Sequence, residues 1–127
     1  MRYFFMIILM VVVSSANEYK SQHNEGEKLF TQGMDYLLGY KVKENNTKAF
    51  KFFHKAARQN NKEAKYFMGI CFDQGIGVKE QKELARYWYR QAANAGYRKA
   101  IYKLAEVEKD LKIRIFRKES YIAINFK

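Results

Sequence analysis

Sliding the chain against itself by 36 residues aligns Lys28–Glu63 with Ala64–Lys99 without a gap. Gly33 meets Gly69, Gly39 meets Gly75, and Val42-Lys43-Glu44 meets Val78-Lys79-Glu80. Ala49 falls on Ala85 and Ala56-Ala57 on Ala92-Ala93, while ring falls on ring where Phe30 meets Tyr66, Tyr36 meets Phe72 and Phe52-Phe53 meets Trp88-Tyr89. A third copy begins at Ala100, where Ala100, Tyr102, Leu104 and Ala105 repeat Ala64, Tyr66, Met68 and Gly69, and it fades after Val107. Repetition at this period restricts the fold more than any other feature. One unit is too small to bury its own apolar face, so successive units must stack.

Each unit reads as two helices. Ala64, Met68 and Phe72, flanked by Tyr66 and Gly69, form an apolar stripe at helical spacing that ends at Gly75. Ala85, Trp88, Tyr89, Ala92 and Ala93 form a second stripe, at steps of three and four, that ends at Gly96. Asn60 holds the place of Gly96 in the earlier unit, and asparagine is the next best residue for a left-handed helix end. The chain contains no proline, so the strongest helix breaker is missing throughout. A glycine inside a helix costs about 1 kcal/mol relative to alanine. Its retention at Gly33 and Gly69, with Ala105 third, predicts a close approach there by the aromatic pair of the second helix. Phe52, Phe53, Trp88, Tyr89, Ala92 and Ala93 are therefore expected to be structural, with both rings of each pair under the glycine. Tyr87 replaces Lys51 and sits off the stripe.

The segment Ala64–Ala100 resembles a Sel1-like repeat (SLR), a relative of the tetratricopeptide repeat. The resemblance rests on Ala64, Met68-Gly69, Phe72, Gly75-Ile76-Gly77-Val78, Leu84-Ala85, Trp88-Tyr89, Gln91-Ala92-Ala93 and Gly96. Residues 28–63 look like a degenerate copy, with Lys41 at the second loop glycine and Phe52-Phe53 in place of Trp-Tyr. Asn45 and Gln81 stand where the family often has Asp, which implies weaker capping of the second helices. The resemblance implies an all-α fold, an α-solenoid of antiparallel helix pairs with about two and a half SLR units, that serves as a platform for protein contacts. It also implies that single Cys71 sets this chain apart from the exported bacterial members with two cysteines per repeat.

The N-terminus reads differently. Arg2 precedes an apolar run, Tyr3 to Val13, followed by Ser14-Ser15-Ala16. That is the pattern of an export signal cut after Ala16, and the run is too short for a spanning helix. An uncleaved anchor is the competing reading. Removal of residues 1–16 would leave 23 basic and 13 acidic residues, a formal charge of +10. Such a field favours anionic partners, although lysines also simply solubilise helical surfaces. The expected destination is secreted or periplasmic, or the endoplasmic reticulum lumen in a eukaryote. Cys71 lies between Ile70 and Phe72 and reads as a small buried hydrophobe, with intermolecular pairing as the sharper alternative.

Catalytic and metal-binding patterns are not found. His23 and His54, the two histidines, are not spaced with carboxylates or Cys71 as ligands would be, and Gly75-Ile76-Gly77 lacks the third glycine of a phosphate loop. The sequence therefore predicts no enzyme, no cofactor and no metal, and the export signal argues against a nucleic-acid partner. Asn45-Asn46-Thr47 fits an N-glycosylation sequon but reads more readily as polar loop and N-cap. In the C-terminal segment, Leu111-Lys112-Ile113-Arg114-Ile115-Phe116-Arg117 alternates apolar and basic residues, and Tyr121, Ile122, Ile124 and Phe126 follow. A cap over the open end of the stack, a basic membrane-lying tail and a decayed repeat all fit this pattern.

The expected organisation is a signal peptide at 1–16, a polar segment at 17–27, a degenerate repeat at 28–63, a full repeat at 64–99 and a partial third repeat with a capping segment at 100–127. The expected function is an exported non-enzymatic adaptor that binds another protein. Attachment to anionic glycans or lipid surfaces is the alternative. Thr31, Phe67 and Lys103 occupy equivalent places on successive first helices and, with Gln74 and Tyr87, form the expected binding surface.

Overall fold

The computed structural model describes residues 1–125, with the side chains of Arg2, Tyr19, Gln22–Asn24 and 121–125 left aside. His23, Tyr121, Ile122, Ile124 and Phe126, singled out above, thus lie outside the described side chains. Five helices follow one another: α1 (Arg2–Leu38), α2 (Asn46–Arg58), α3 (Lys62–Gln74), α4 (Lys82–Asn94) and α5 (Arg98–Asn125). Each helix packs on the next, giving an all-α solenoid of paired antiparallel helices.

The 36-residue period is reproduced bond for bond in the turns. Gly39 and Gly75 end α1 and α3 in the left-handed region, at φ 66° and 71°, and donate to Asp35 O and Cys71 O. One residue on, Tyr40 N donates to Asp35 O and Ile76 N to Cys71 O. Further on, Asn45 N donates to Tyr36 O and Gln81 N to Phe72 O, each at 2.8 Å, which folds the second helix of each pair back on the first. Asn61 N to Ala56 O and Tyr97 N to Ala92 O repeat the connection between pairs. Lys41 adopts φ 62° where Gly77 stands at 67°, so the degenerate repeat keeps the turn despite its side chain. Capping differs between the two second helices. Asn45 Oδ1 accepts from Lys48 N at 2.9 Å, whereas Gln81 makes no side-chain cap.

The third copy ends differently. Position 111, one period after Gly75, is occupied by a buried leucine, so no residue suited to the left-handed region interrupts α5. The helix continues to Asn125, and the residues from Lys112 to Glu119 stand exposed beyond the stack. At the other end, α1 runs unbroken from the apolar segment through Ala16 into the first repeat, and Tyr3 to Val13 are exposed. Among the described residues, no helix is long and apolar enough to cross a membrane.

The core is the repeated alanine and ring layer. Ala49, Phe53, Ala56, Ala64, Ala85, Tyr89, Ala92 and Ala100 are fully buried. A Cβ added at Gly33 would stand 2.6 Å from Phe53 Cε1, and one at Gly69 would stand 2.5 Å from Tyr89 Cε1. Each glycine therefore receives one ring, and the expectation that Phe52 and Trp88 share the place is corrected. Neighbouring residues on a helix point about 100° apart, so only one of each pair can face the glycine. Phe52 instead stacks on Tyr36 at 5.5 Å, and Trp88 turns its edge to His54 at 6.3 Å.

Lys82, at the start of α4, donates to the Asp73 carboxylate at 2.6 Å and to the Asp73 carbonyl at 3.0 Å, near the end of α3. The Asp73 hydrogen bond holds its ammonium pKa above the ordinary lysine value. The other carboxylate oxygen of Asp73 accepts from the buried Tyr89 hydroxyl at 3.4 Å. This latch exists only in the second repeat, because Leu37 and Asn46 occupy the corresponding places in the first. Lys82→Ala is expected to cost about 1 kcal/mol in urea unfolding, since both partners keep some solvent contact.

Candidate interaction surface

The expected binding residues do not form one free face. Thr31 is exposed, and its hydroxyl donates to Glu27 O within α1. Phe67, expected on the same free surface, is instead half-buried between the repeats. Its ring lies 5.3 Å from Phe30, 5.1 Å from Phe53 and 5.8 Å from Tyr66. Stacking sets α3 against α2, and a ring at this register fills the seam, reaching Phe53 of α2 and Phe30 of α1. Gln74 is exposed at the end of α3, and Lys103 is half-buried with its ammonium 2.8 Å from Glu106. Tyr87 lies on α4, half exposed to solvent, with its ring edge against Trp88 at 5.4 Å.

Cys71 is buried, and desolvation pushes its thiol from 9.0 up to about 12. The thiolate is the reactive form, so a thiol-specific disulfide reagent at pH 8 is expected to label the native chain far more slowly than the urea-unfolded chain. Equal labelling rates would show that Cys71 is accessible. Sign follows from the same shift: the native state keeps a proton that the unfolded state releases above pH 9, so this contribution to stability is lost as pH rises from about 9 towards 12.

A different surface stands out on α2. Its buried side is Ala49, Phe53, Ala56 and Ala57. Opposite these, Lys48, Lys51, Lys55 and Arg58 follow one another at steps of three, four and three, all exposed, in a helix that contains no acidic residue. Among the described residues none of the four is held in an ion pair, although Glu25 of α1 lines a groove with Lys55 and Arg58. Rings border the line of charge. Lys48 Nζ lies 5.2 Å from the Tyr36 ring centre, and Lys55 Nζ lies 5.6 Å from that of Phe52. On the α4 side, Phe50 and His54 stack at 6.5 Å, and His54 leads to Trp88 and Tyr87. The sequence signal for this face was the period of the four cations within one acid-free helix. It was masked by the high lysine content of the whole chain.

Among the described residues no group of three or more His, Cys, Asp or Glu could hold a metal ion. The helix pairs form a helical-hairpin solenoid, the class of tetratricopeptide-like repeat scaffolds. The Sel1 repeat model matches residues 33–61 and 62–97, together about half of the chain. The chain belongs to the Sel1-like repeat family, whose fold is a non-catalytic scaffold for protein contacts. It is similar to chitin synthase regulatory factor 3 of Schizosaccharomyces pombe, 37% identical over 73 residues, which are 56% of this chain and 8% of that protein. Chitin synthase regulatory factor 4 of the same yeast is 36% identical over 63 residues, 50% of this chain and 9% of that protein. The crystal structure of a Sel1 repeat protein from Oxalobacter formigenes superposes with a TM-score of 0.60 at 33% identity, over 62% of this chain and 32% of that one. The chain thus spans under a tenth of the curated relatives and about a third of the solved structure.

Proposed function

We propose that this chain is an exported adaptor that holds another protein against the outward faces of its helix pairs. The observation that carries the reading is the pair of Sel1 repeats, whose shared core consumes the alanine and ring faces and leaves α2 and α4 with exposed outer sides. Export is supported by Arg2, the apolar run Tyr3–Val13 and the small residues Ser14 and Ala16, and by the exposure of that run in the folded chain. Mature protein recovered from the producing cell should begin at Asn17, which mass spectrometry of its N-terminal peptide would decide.

A photo-crosslinking amino acid placed in turn at Thr31, Lys51 and Tyr87 of the full chain tests the adaptor reading in that cell. A discrete protein adduct is expected from positions 51 and 87. Absence of any protein adduct from all three positions would overturn it. The formal charge of +10 left after removal of residues 1–16 favours a second reading, attachment to anionic glycans or lipids. That binding would collapse between low and physiological salt, whereas a packed protein interface would persist.

A further inference from the structure

We infer that the exposed face of α2 is a docking site for an acidic helical segment of the partner protein, with Lys48, Lys51, Lys55 and Arg58 as its charge register. This rests on the adaptor reading and adds the partner's chemistry to it.

Three observations carry the inference. First, the four cations form a line rather than a cloud. Steps of three, four and three keep them on one side of the helix, over about 15 Å of its axis. An acidic helix with carboxylates at the same steps presents them at the same rise, so each carboxylate can meet one cation. Second, the feature is local. One period later the same four positions on α4 are Leu84, Tyr87, Gln91 and Asn94, which carry no charge. The second repeat is nearly as basic, so what is particular to the first is the alignment of its cations on the outer side of α2 rather than their number. Third, the line is bordered by ring surface on both sides. Tyr36 and Phe52 lie along one edge, and His54 and Trp88 lead to half-exposed Tyr87 on the other. Lysines already seated over Tyr36 and Phe52 are partly ordered before a partner arrives, which lowers the entropy lost on binding. The rings also supply apolar contact for a side chain flanking the acidic stripe. A polyanionic glycan or a lipid headgroup layer would use the cations but has no need of the bordering rings or of helical register, so a protein helix fits the surface better.

The test uses the full chain and a fluorescent peptide of about 14 residues, four helical turns. It carries glutamates at steps of three, four and three and one flanking tryptophan. A second peptide of identical composition has its glutamates spread around the helix. At physiological salt, the patterned peptide should bind more tightly than the scattered one. Lys51→Glu with Lys55→Glu should weaken it about tenfold. Lys109→Glu with Lys112→Glu, an equal change of charge on exposed positions of α5, should change it less than about twofold. Circular dichroism should show both double variants folded, since all four positions are exposed.

Equal losses in the two double variants, or equal binding of the two peptides, would overturn the inference, because either marks the field of the whole chain. So would heparin or phosphatidylglycerol vesicles binding in a manner sensitive to the α2 variant while the patterned peptide does not bind. The adaptor reading fails separately. If the crosslinker at Thr31, Lys51 and Tyr87 captures no protein in the cell, that reading is lost. If a crosslinked partner is retained by the Lys51→Glu, Lys55→Glu variant, the adaptor stands and the α2 site falls.

Discussion

Tyr89→Ala is expected to lower the free energy of unfolding by about 4 kcal/mol, the range measured for removal of a fully buried ring. Domains of this size hold roughly 5–15 kcal/mol in total, so the variant should sit near the edge of folding. The size of the effect follows from place as well as area. Tyr89 is fully buried, its ring covers Gly69 on α3, and it packs against Tyr66 at 5.6 Å. The residue directly under the ring is Gly69, which has no side chain to fill the vacated space. Tyr89→Phe isolates the hydroxyl, whose bond to Asp73 is long at 3.4 Å, and should cost no more than about 1 kcal/mol. Urea unfolding followed by far-ultraviolet circular dichroism measures both. A loss below about 2 kcal/mol for the alanine variant would mean that the ring is not what joins α3 to α4.

The complementary substitution, Gly69→Leu, fills a space that is already taken. Leucine gains about 1 kcal/mol of helix propensity over glycine, yet its side chain must displace the Tyr89 ring. Overpacking of this kind costs about 3 kcal/mol, so a net destabilisation of about 2 kcal/mol is expected. The informative measurement is the double variant. With Tyr89→Ala in place, Leu at position 69 enters the vacated volume, and the pair should be more stable than the sum of single effects by about 2 kcal/mol. Additivity of the two changes would show that residues 69 and 89 do not share one space.

Much of this packing is visible in the sequence, and the parts that are not have definable causes. Two glycines kept inside helices announce a close approach, and the ring pairs one period apart supply the candidates. Choosing Phe53 and Tyr89 over Phe52 and Trp88 requires the angular position of each residue relative to the neighbouring helix. The loss of a third turn has its cause in the sequence but is read only with the structure: Leu111 stands where Gly39 and Gly75 stood and cannot take their backbone conformation without strain. Phe67 shows the limit. By pattern it lies beside the buried stripe and equivalent to exposed Thr31, yet its ring closes the seam against Phe30 and Phe53. Nothing within one repeat distinguishes a ring that meets solvent from a ring that meets the next repeat.

By itself the sequence determined the period, the helix pairs, their turns and the glycine sites, because these depend on backbone conformation and on spacing within one unit. Tertiary structure alone decided which remaining faces stay open. Stacking sets α3 against the first helix pair and consumes Phe67 in that seam, while it leaves the outer side of α2 uncovered. The four cations there become a surface only because the alanine side of the same helix has been spent on the core.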